Sequence, residues 1–427
     1  MALTADELAA RVRIAREAVG MTQGAVASAL SVSRPAISQI EAGKRAVSGL
    51  ELHRLAALFG RSATDFFAET FQEQNATVVL FRRHPELGAD TGLREALSEA
   101  LTFGRAMSHL ERILDIDSHS AALPSYAPGS LRSKWQAVQQ GERAARAERR
   151  RLGLDERPLP DQVDLLEMQG IRAAQVRMPE EVSGLTLLDD SVGLLVAVNR
   201  RHAFNRRRYS FAHEYAHVLF DRDRQANVSH TSDRDSLLEV RANSFAAAFL
   251  LPAGGVRRFL GYLAKGAASR TRRHVFDGEG GRLAERRSPP GSQEIRIHDV
   301  ALLAHHFGVS RLAALYRLKS LRAIGEQRLT QLRQQDAEVG RDTARALGLA
   351  DPEEGRRRPL GRNRLVVLGV EALRRELISY RRLCELGEIV GVDENALEQL
   401  VVQAGIDVRP PVAPLPVDWE ALRGRSS

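Results

Sequence analysis

Two histidines and a glutamate in the middle of the chain have the types and the spacing of a metal site. The segment RRYSFAHEYAHVLF (Arg207–Phe220) carries His213, Glu214 and His217. Histidines four residues apart project from one face of a helix, so both imidazoles can reach one metal ion. Glu214 is rotated by one residue, which points it toward a water beside the metal. The remaining positions are mostly apolar or small, and burying three ionisable groups there is costly unless they bind something.

A catalytic zinc site needs a third protein ligand, and the sequence offers one downstream. The segment EVRANSFAAAFLLP begins at Glu239, 22 residues after His217, and has the composition of a second helix. Asn243 follows one turn later, where it can contact the histidine-bearing helix. The single cysteine, Cys384, excludes an intrachain disulfide and a cysteine-based zinc site. Any metal must therefore be held by His, Asp or Glu.

These motifs resemble those of the ImmA/IrrE family of metallopeptidases over about residues 130–325. The chain supplies AVN at Ala197–Asn199, RRRYSFAHEYAH at Arg206–His217, EVRANSFAAAFLLP at Glu239–Pro252 and DVALLAHHFGVSRLAALYRL at Asp299–Leu318. The resemblance implies a zincin-like domain, one Zn²⁺ bound by His213, His217 and Glu239, and Glu214 as the catalytic carboxylate. Ala216 stands where the family commonly has glycine, and a small, helix-favouring residue should leave the site intact.

The expected reaction is metal-assisted hydrolysis of an amide bond. Glu214 would take a proton from the attacking water and pass it to the leaving amine. A further donor should stabilise the oxyanion. The sequence leaves four candidates for that donor open, namely Tyr209, Tyr215, His230 and Tyr262. The run Gly193–Asn199, if it forms an edge strand, could pair with an extended peptide substrate.

The segment TQGAVASALSVSRPAISQIEAGKR near the N-terminus predicts two short helices joined by a tight turn. Thr22 and Ser33 can cap the two helices, and Pro35 is tolerated in the first turn of the second. Ile37 and Ile40 face inward. The polar side chains at the start of the second helix then point outward. A helix with this arrangement can enter the major groove of DNA.

Arg34 and Gln39 suit base edges, whereas Lys44 and Arg45 suit phosphates. The segment resembles the XRE (lambda-repressor/Cro-like) DNA-binding family over about residues 5–70. By that resemblance, the residues that touch DNA are Gln23, Arg34, Ser38 and Gln39. The formal net charge of +8 is compatible with a nucleic-acid partner but is weak evidence by itself.

The elements that must position these residues are predicted to be mainly α-helical, with a small antiparallel β-sheet. Four regions are expected: a five-helix DNA-binding bundle (1–71), a helical linker (72–130), the peptidase domain (131–325) and a helical C-terminal region of unknown role (326–427). The sheet should include Ile171–Arg177, Gly184–Leu188 and Gly193–Asn199. Residues 266–293, rich in Gly, Arg and Ser, are interpreted as a mobile insertion. Basic runs such as Arg149–Arg151 are interpreted as solvated faces.

The chain is expected to be cytoplasmic and without a membrane partner. No apolar run approaches the length of a membrane-spanning helix, and the N-terminus carries acidic residues where a signal peptide would be apolar. Operators of the XRE class are often palindromic, so a homodimer is plausible.

Together these features predict a transcriptional regulator with a zinc-dependent endopeptidase domain. Its partners would be double-stranded operator DNA and a repressor-type protein or peptide, cut in trans or within its own linker, in a stress or mobile-element response. Two alternatives stay open. The peptidase-like domain could instead sense a metal, a metabolite or a peptide without cutting, or the protein could be the toxin of a toxin–antitoxin pair.

Overall fold

The chain forms two compact units in the computed structural model. One contains residues 1–104 and 119–361, and the other contains residues 105–118 and 362–427. The structure describes residues 4–61, 63–68, 71, 91–116, 123–126, 130–189, 192–222, 226–230, 235–266, 270–277, 280–287, 289, 291–349 and 363–406. None of the helices in these ranges is both long and apolar enough to cross a membrane.

The N-terminal part is the predicted bundle, with a 3₁₀ turn as its fifth member. Its elements are α1 (Ala5–Ala18), α2 (Gln23–Leu30), α3 (Arg34–Glu41), α4 (Gly49–Leu58) and the 3₁₀ helix Ala63–Phe67. Thr22 caps α2 and Ser33 caps α3, as expected from the sequence. Arg16 of α1 makes a charge-assisted bond to the buried carboxylate of Glu41, at 2.5 Å, which fixes the end of α3.

One long helix of the region expected to be a helical linker is described. It is α5 (Thr91–Ile113), and it agrees with the helical character predicted for this region. Gly104 lets this helix approach the sheet closely, because a Cβ atom there would lie 2.8 Å from the Val192 side chain. Residues 72–90, also in that region, lie outside the described part of the chain.

A four-stranded sheet forms one layer of the region expected to be the peptidase domain. Its strands are β1 (Arg172–Val176), β2 (Val182–Asp189), β3 (Gly193–Asn199) and β4 (Ala226–His230), in the order β1-β3-β2-β4. The fold class is confirmed as mainly α with a small sheet, but the sheet is mixed rather than antiparallel, because β1 runs parallel to β3. The suggestion that Gly193–Asn199 forms an edge is wrong, since β3 lies between β1 and β2. The edge beside β2 is β4, which the sequence did not reveal.

Helices cover this sheet and extend beyond it. They are α6 (Lys134–Arg151), α7 (Gln162–Glu167), α8 (Phe204–Phe220), α9 (Leu237–Leu250), α10 (Ala253–Tyr262), α11 (Ile297–Phe307), α12 (Arg311–Ser320) and α13 (Glu326–Ala346). Helix α8 packs against β2 and β3 on one side and α9 on another. Helices α6 and α9 approach closely at Gly141, where a Cβ atom would collide with the Arg241 carbonyl. Helix α13 packs on α11 and α12, within the same unit.

A buried polar network ties α8 to the segment that precedes α6. Glu148 of α6 is fully buried and accepts hydrogen bonds from the hydroxyls of Tyr215 and Tyr126. The Tyr126 amide donates to the carbonyl of Leu219 at 3.0 Å. Arg222 donates to the Pro124 carbonyl at 2.6 Å. These hydrogen bonds hold residues 123–126 against the C-terminal end of α8.

The expectation of an irregular insertion at 266–293 is corrected by the structure. An antiparallel pair, β5 (Arg270–Asp277) and β6 (Gly280–Arg287), lies within it. This segment has no recognisable strand pattern, because it is rich in glycine, a poor strand former, and its apolar residues do not alternate. The second unit contains α14 (Asn363–Arg374), α15 (Tyr380–Val390) and α16 (Glu394–Gln403), so the predicted helical C-terminal region is helical where it is described. Residues 407–427 lie outside that part.

Candidate metal centre

Two packed helices bring the three candidate metal ligands together. His213 and His217 lie one turn apart on α8, and Glu239 lies in the first turn of α9. The hydroxyl of Ser236 accepts the Glu239 amide hydrogen and so caps α9 at this point. Since α8 and α9 pack side by side, the Glu239 carboxylate meets both imidazoles.

The ligand atoms form a tight triangle. Glu239 Oε2 lies 3.0 Å from His213 Nε2, and Glu239 Oε1 lies 3.1 Å from His217 Nε2. The two Nε2 atoms are 3.2 Å apart. A tetrahedral zinc with bonds of about 2.0–2.1 Å separates its nitrogen and oxygen ligands by about 3.3 Å. The triangle therefore fits one zinc ion, with a fourth position left for water. Among the described residues this is the one His/Cys/Asp/Glu cluster that could hold a metal.

Hydrogen bonds on the far side of each ring select the tautomer that can bind a metal. His213 Nδ1 lies 3.1 Å from Asn243 Oδ1, which also accepts a hydrogen bond from Tyr209. His217 Nδ1 lies 2.9 Å from Asp221 Oδ2. An oxygen acceptor at Nδ1 places the imidazole proton there. Both Nε2 lone pairs are then directed into the triangle.

Asp221 and Arg241 are functional candidates that sequence reasoning missed. Arg241 is fully buried and donates to Asp221 Oδ1 at 2.7 Å, with its guanidinium 4.2 Å from the centre of the Phe220 ring. Asp221 thus joins His217 to a buried cation. The spacing of His217 and Asp221, four residues apart, was a usable signal, but Asp221 lies just beyond the helix end and its orientation could not be inferred.

The pKa shifts describe a pocket that stabilises positive charge. Burial alone would raise the pKa of Glu239, but hydrogen bonds to His213 and His217 outweigh it and hold the pKa well below its usual value. Burial opposes protonation of His217, but its bonds to Asp221 and Glu239 prevail and raise the pKa of His217 to about 10. A site with this balance favours a bound cation.

Glu214 faces the sheet side of α8 and is completely buried. Its Oε2 accepts a hydrogen bond from Thr186 of β2 at 2.8 Å, and its Oε1 accepts one from Ser229 of β4 at 2.6 Å. Gly184 of β2 makes room for it, because a Cβ atom there would lie 2.8 Å from Glu214 Oε1. These two hydroxyl donors hold the Glu214 carboxylate in a fixed orientation between α8 and the sheet.

The four oxyanion candidates occupy different environments. Tyr209 contacts the metal centre, since its hydroxyl donates to Asn243 and its ring lies 6.5 Å from that of His213. Burial, followed by the charge of Glu239, raises the pKa of Tyr209, so its hydroxyl stays protonated. His230 ends β4, one residue after Ser229. Tyr215 donates to Glu148 instead, and Tyr262 is 84% exposed at the end of α10, so neither is carried forward as a donor.

The expected DNA contacts lie on and around α3. Arg34, Ser38 and Gln39 are exposed on α3, as is Lys44 just after it. The other two predicted DNA contacts, Gln23 and Arg45, already bind acidic side chains of the same domain. Gln23 donates to Glu41 at 2.9 Å, and Arg45 pairs with Glu51 at 2.6 Å.

Comparison with known families identifies two kinds of domain in the chain, a DNA-binding domain and a metallopeptidase-type domain. Residues 7–66 match the family model described as a helix-turn-helix domain, and residues 167–275 match that of the IrrE N-terminal-like domain. The predicted fusion of an XRE-like domain with an ImmA/IrrE-like domain is thereby confirmed. The second match contains all three residues of the metal triangle and Glu214. No curated protein matches the chain.

The role of Asp221 gives a first testable prediction. Asp221→Asn keeps the shape of the side chain but removes the charge that orients and polarises His217. We expect the zinc affinity to fall by about 10–100-fold, as measured by competition with a chromophoric chelator. Asp235→Asn is the matched control, because that carboxylate is 91% exposed and pairs only with Lys134 among the described residues. An unchanged affinity in Asp221→Asn would remove Asp221 from the site.

Proposed function

We propose that this protein is a zinc-dependent endopeptidase and DNA-binding regulator that relieves transcriptional repression by cutting a repressor-type protein, either a partner or its own linker. The observation that carries the proposal is the triangle of His213, His217 and Glu239 beside the buried carboxylate of Glu214. A helix-turn-helix domain on the same chain connects that chemistry to an operator. The proposed setting is the cytoplasm, in a stress or mobile-element response, and the proposed form is a homodimer.

The residues of the chain have separate roles in this proposal. His213, His217 and Glu239 would hold the zinc ion, which when bound polarises the scissile carbonyl and lowers the pKa of water to about 7. Glu214 accepts the proton of the attacking water and delivers it to the leaving amine. Thr186 and Ser229 donate hydrogen bonds that keep the Glu214 carboxylate in place. His230, or Tyr209 after its hydroxyl releases Asn243, would donate a hydrogen bond to the oxyanion.

Strand β4 is the proposed docking edge for the substrate. Among the described strands it pairs only with β2, so its other edge is the position at which an extended peptide would add to the sheet. Ser229 on this strand contacts Glu214 directly. A peptide added to β4 would therefore lie close to the Glu214 carboxylate, so the strand that binds the substrate also places it beside the proposed base.

The test is a cleavage assay with the full-length, zinc-loaded chain. Purified XRE-type repressors and the protein alone are incubated with and without operator DNA, and fragments are read by mass spectrometry. We expect cleavage that disappears after the zinc is chelated and returns when zinc is restored. If no fragment forms while operator binding persists, the non-proteolytic sensor replaces the peptidase.

DNA recognition by α3 gives a second prediction. With an operator selected from a random duplex library, Arg34→Ala or Gln39→Ala should each weaken specific binding by about 1–3 kcal/mol. Lys44→Ala should weaken all sequences alike and flatten the dependence of binding on salt. Fluorescence anisotropy at several salt concentrations measures both effects. Arg13→Ala, an exposed arginine of α1, should change neither, and equal losses in all variants would place the DNA surface elsewhere.

A further inference from the structure

A cavity of about 610 Å³ lies in the peptidase unit between α6, α10 and α12, and none of its lining residues belongs to the metal triangle. Its volume is in the range of small-molecule sites, about 300–1,000 Å³. Six arginines from three helices and one loop line it: Arg146, Arg149, Arg150, Arg157, Arg258 and Arg317. Three acidic residues also line it, so six positive and three negative groups leave a formal charge of +3. We call this space the arginine cavity.

Two of these arginines are structural parts of the wall. Arg149 is only 2% exposed, and its guanidinium donates to the carbonyls of Asp155, Phe249 and Arg157. The interpretation of Arg149–Arg151 as a solvated face is therefore wrong for its first member. Arg317 donates to the Leu251 carbonyl at 2.9 Å and to Glu142. These bonds are satisfied within the protein, and they hold the helices that enclose the cavity.

Two other arginines, Arg146 and Arg150, have no partner of opposite charge among the described residues. The guanidinium groups of Arg146 and Arg150 make no hydrogen bond and no ion pair with any described residue. They are four residues apart on α6, so they lie on one face and repel each other. Arg258 is 75% exposed and pairs with Glu156. The positive charge in the cavity thus exceeds what its acidic neighbours offset.

We propose that the arginine cavity binds a small anion that carries phosphate groups, with Arg146 and Arg150 as its principal ligands. Guanidinium groups match phosphate oxygens in geometry and charge, and a concave wall lets several of them face the same ligand. The cavity is open to solvent on the side of Arg146 and Arg150, which are exposed, and its volume suits a small phosphorylated molecule better than the extended backbone of a nucleic acid. The proposal does not depend on peptidase activity.

The test measures direct binding to the full-length chain by isothermal titration calorimetry. The probes are inorganic pyrophosphate and a 12-nucleotide single-stranded DNA. We expect pyrophosphate to bind once per chain, and Arg146→Glu and Arg150→Glu each to weaken it at least tenfold. Arg143→Glu is the matched control, because Arg143 is exposed on α6, does not line the cavity and should bind like the parent. Circular dichroism confirms that each variant is folded.

Each of the following outcomes would contradict the proposal. Absence of pyrophosphate binding, or an equal loss in Arg143→Glu, would show that the cavity is not the site. Binding of the oligonucleotide alone, with loss in Arg146→Glu, would assign these arginines to nucleic acid. Failure of the cleavage assay would leave this result untouched, since the two experiments share no readout.

Discussion

Glu214→Gln should abolish peptide-bond cleavage while the protein keeps one zinc ion per chain. The amide cannot accept a proton from water, and general base catalysis contributes about 10²–10⁴-fold to a rate. The substitution preserves the side chain's shape, which matters because residue 214 is wholly enclosed by α8, β2 and β4. Its Nε2 can donate to the Thr186 hydroxyl that now donates to Glu214, so the side chain keeps a hydrogen bond to β2.

The measurement pairs single-turnover cleavage with metal analysis on the same sample. Glu181→Gln serves as the matched control, because that glutamate is exposed beside the first residue of β2 and contacts none of the metal ligands. We expect its rate to equal that of the parent. Undiminished cleavage by Glu214→Gln would reject Glu214 as the base, whereas a loss of zinc would show that it acts on the metal instead.

His217→Ala and Glu239→Ala should each reduce bound zinc from one ion per chain to nearly none after dialysis. Either change removes one of three protein ligands from the triangle, and two ligands rarely retain zinc against a competing chelator. Zinc also stabilises the folded chain, by about 2.7 kcal/mol when its concentration is 100 times its Kd. The parent should therefore melt at a higher temperature when loaded, and the variants should show no such gain.

His305→Ala provides the comparison for these variants. His305 is exposed on α11 and is not part of the triangle, so its zinc content and its thermal response should match the parent. Mass spectrometry of the dialysed proteins gives the content, and calorimetry gives the melting shift. Zinc retained in Glu239→Ala would disprove the third ligand and would require another donor near α8.

The metal centre could be predicted from the sequence because its ligands lie within short segments of the chain. The spacing of His213 and His217 fixes both rings on one helical face, and the family resemblance supplied Glu239 on the next long helix. Asp221 and Arg241 were missed because their bond depends on how the end of α8 meets α9. Such tertiary contacts leave no periodic signal in a single sequence.

The sheet was harder to predict than the helices. Three strands had the expected composition, but pairing order depends on contacts between distant segments. The sequence therefore did not show that β3 is central or that β4 forms the edge. The short run around Ser229 is polar, so it lacked the apolar alternation that identifies a strand. Its position beside Glu214 is nevertheless what gives β4 its proposed role.

The hydrogen bonds that hold residues 123–126 against α8 limit where the chain could cut itself. Tyr126 and the carbonyl bound by Arg222 support the far end of the helix that carries both histidines. Severing the backbone at or after these residues would loosen the scaffold of the active centre and end its own reaction. If the chain cuts itself, as proposed, a scissile bond upstream of Leu123 would leave these supports on the fragment that carries the metal triangle.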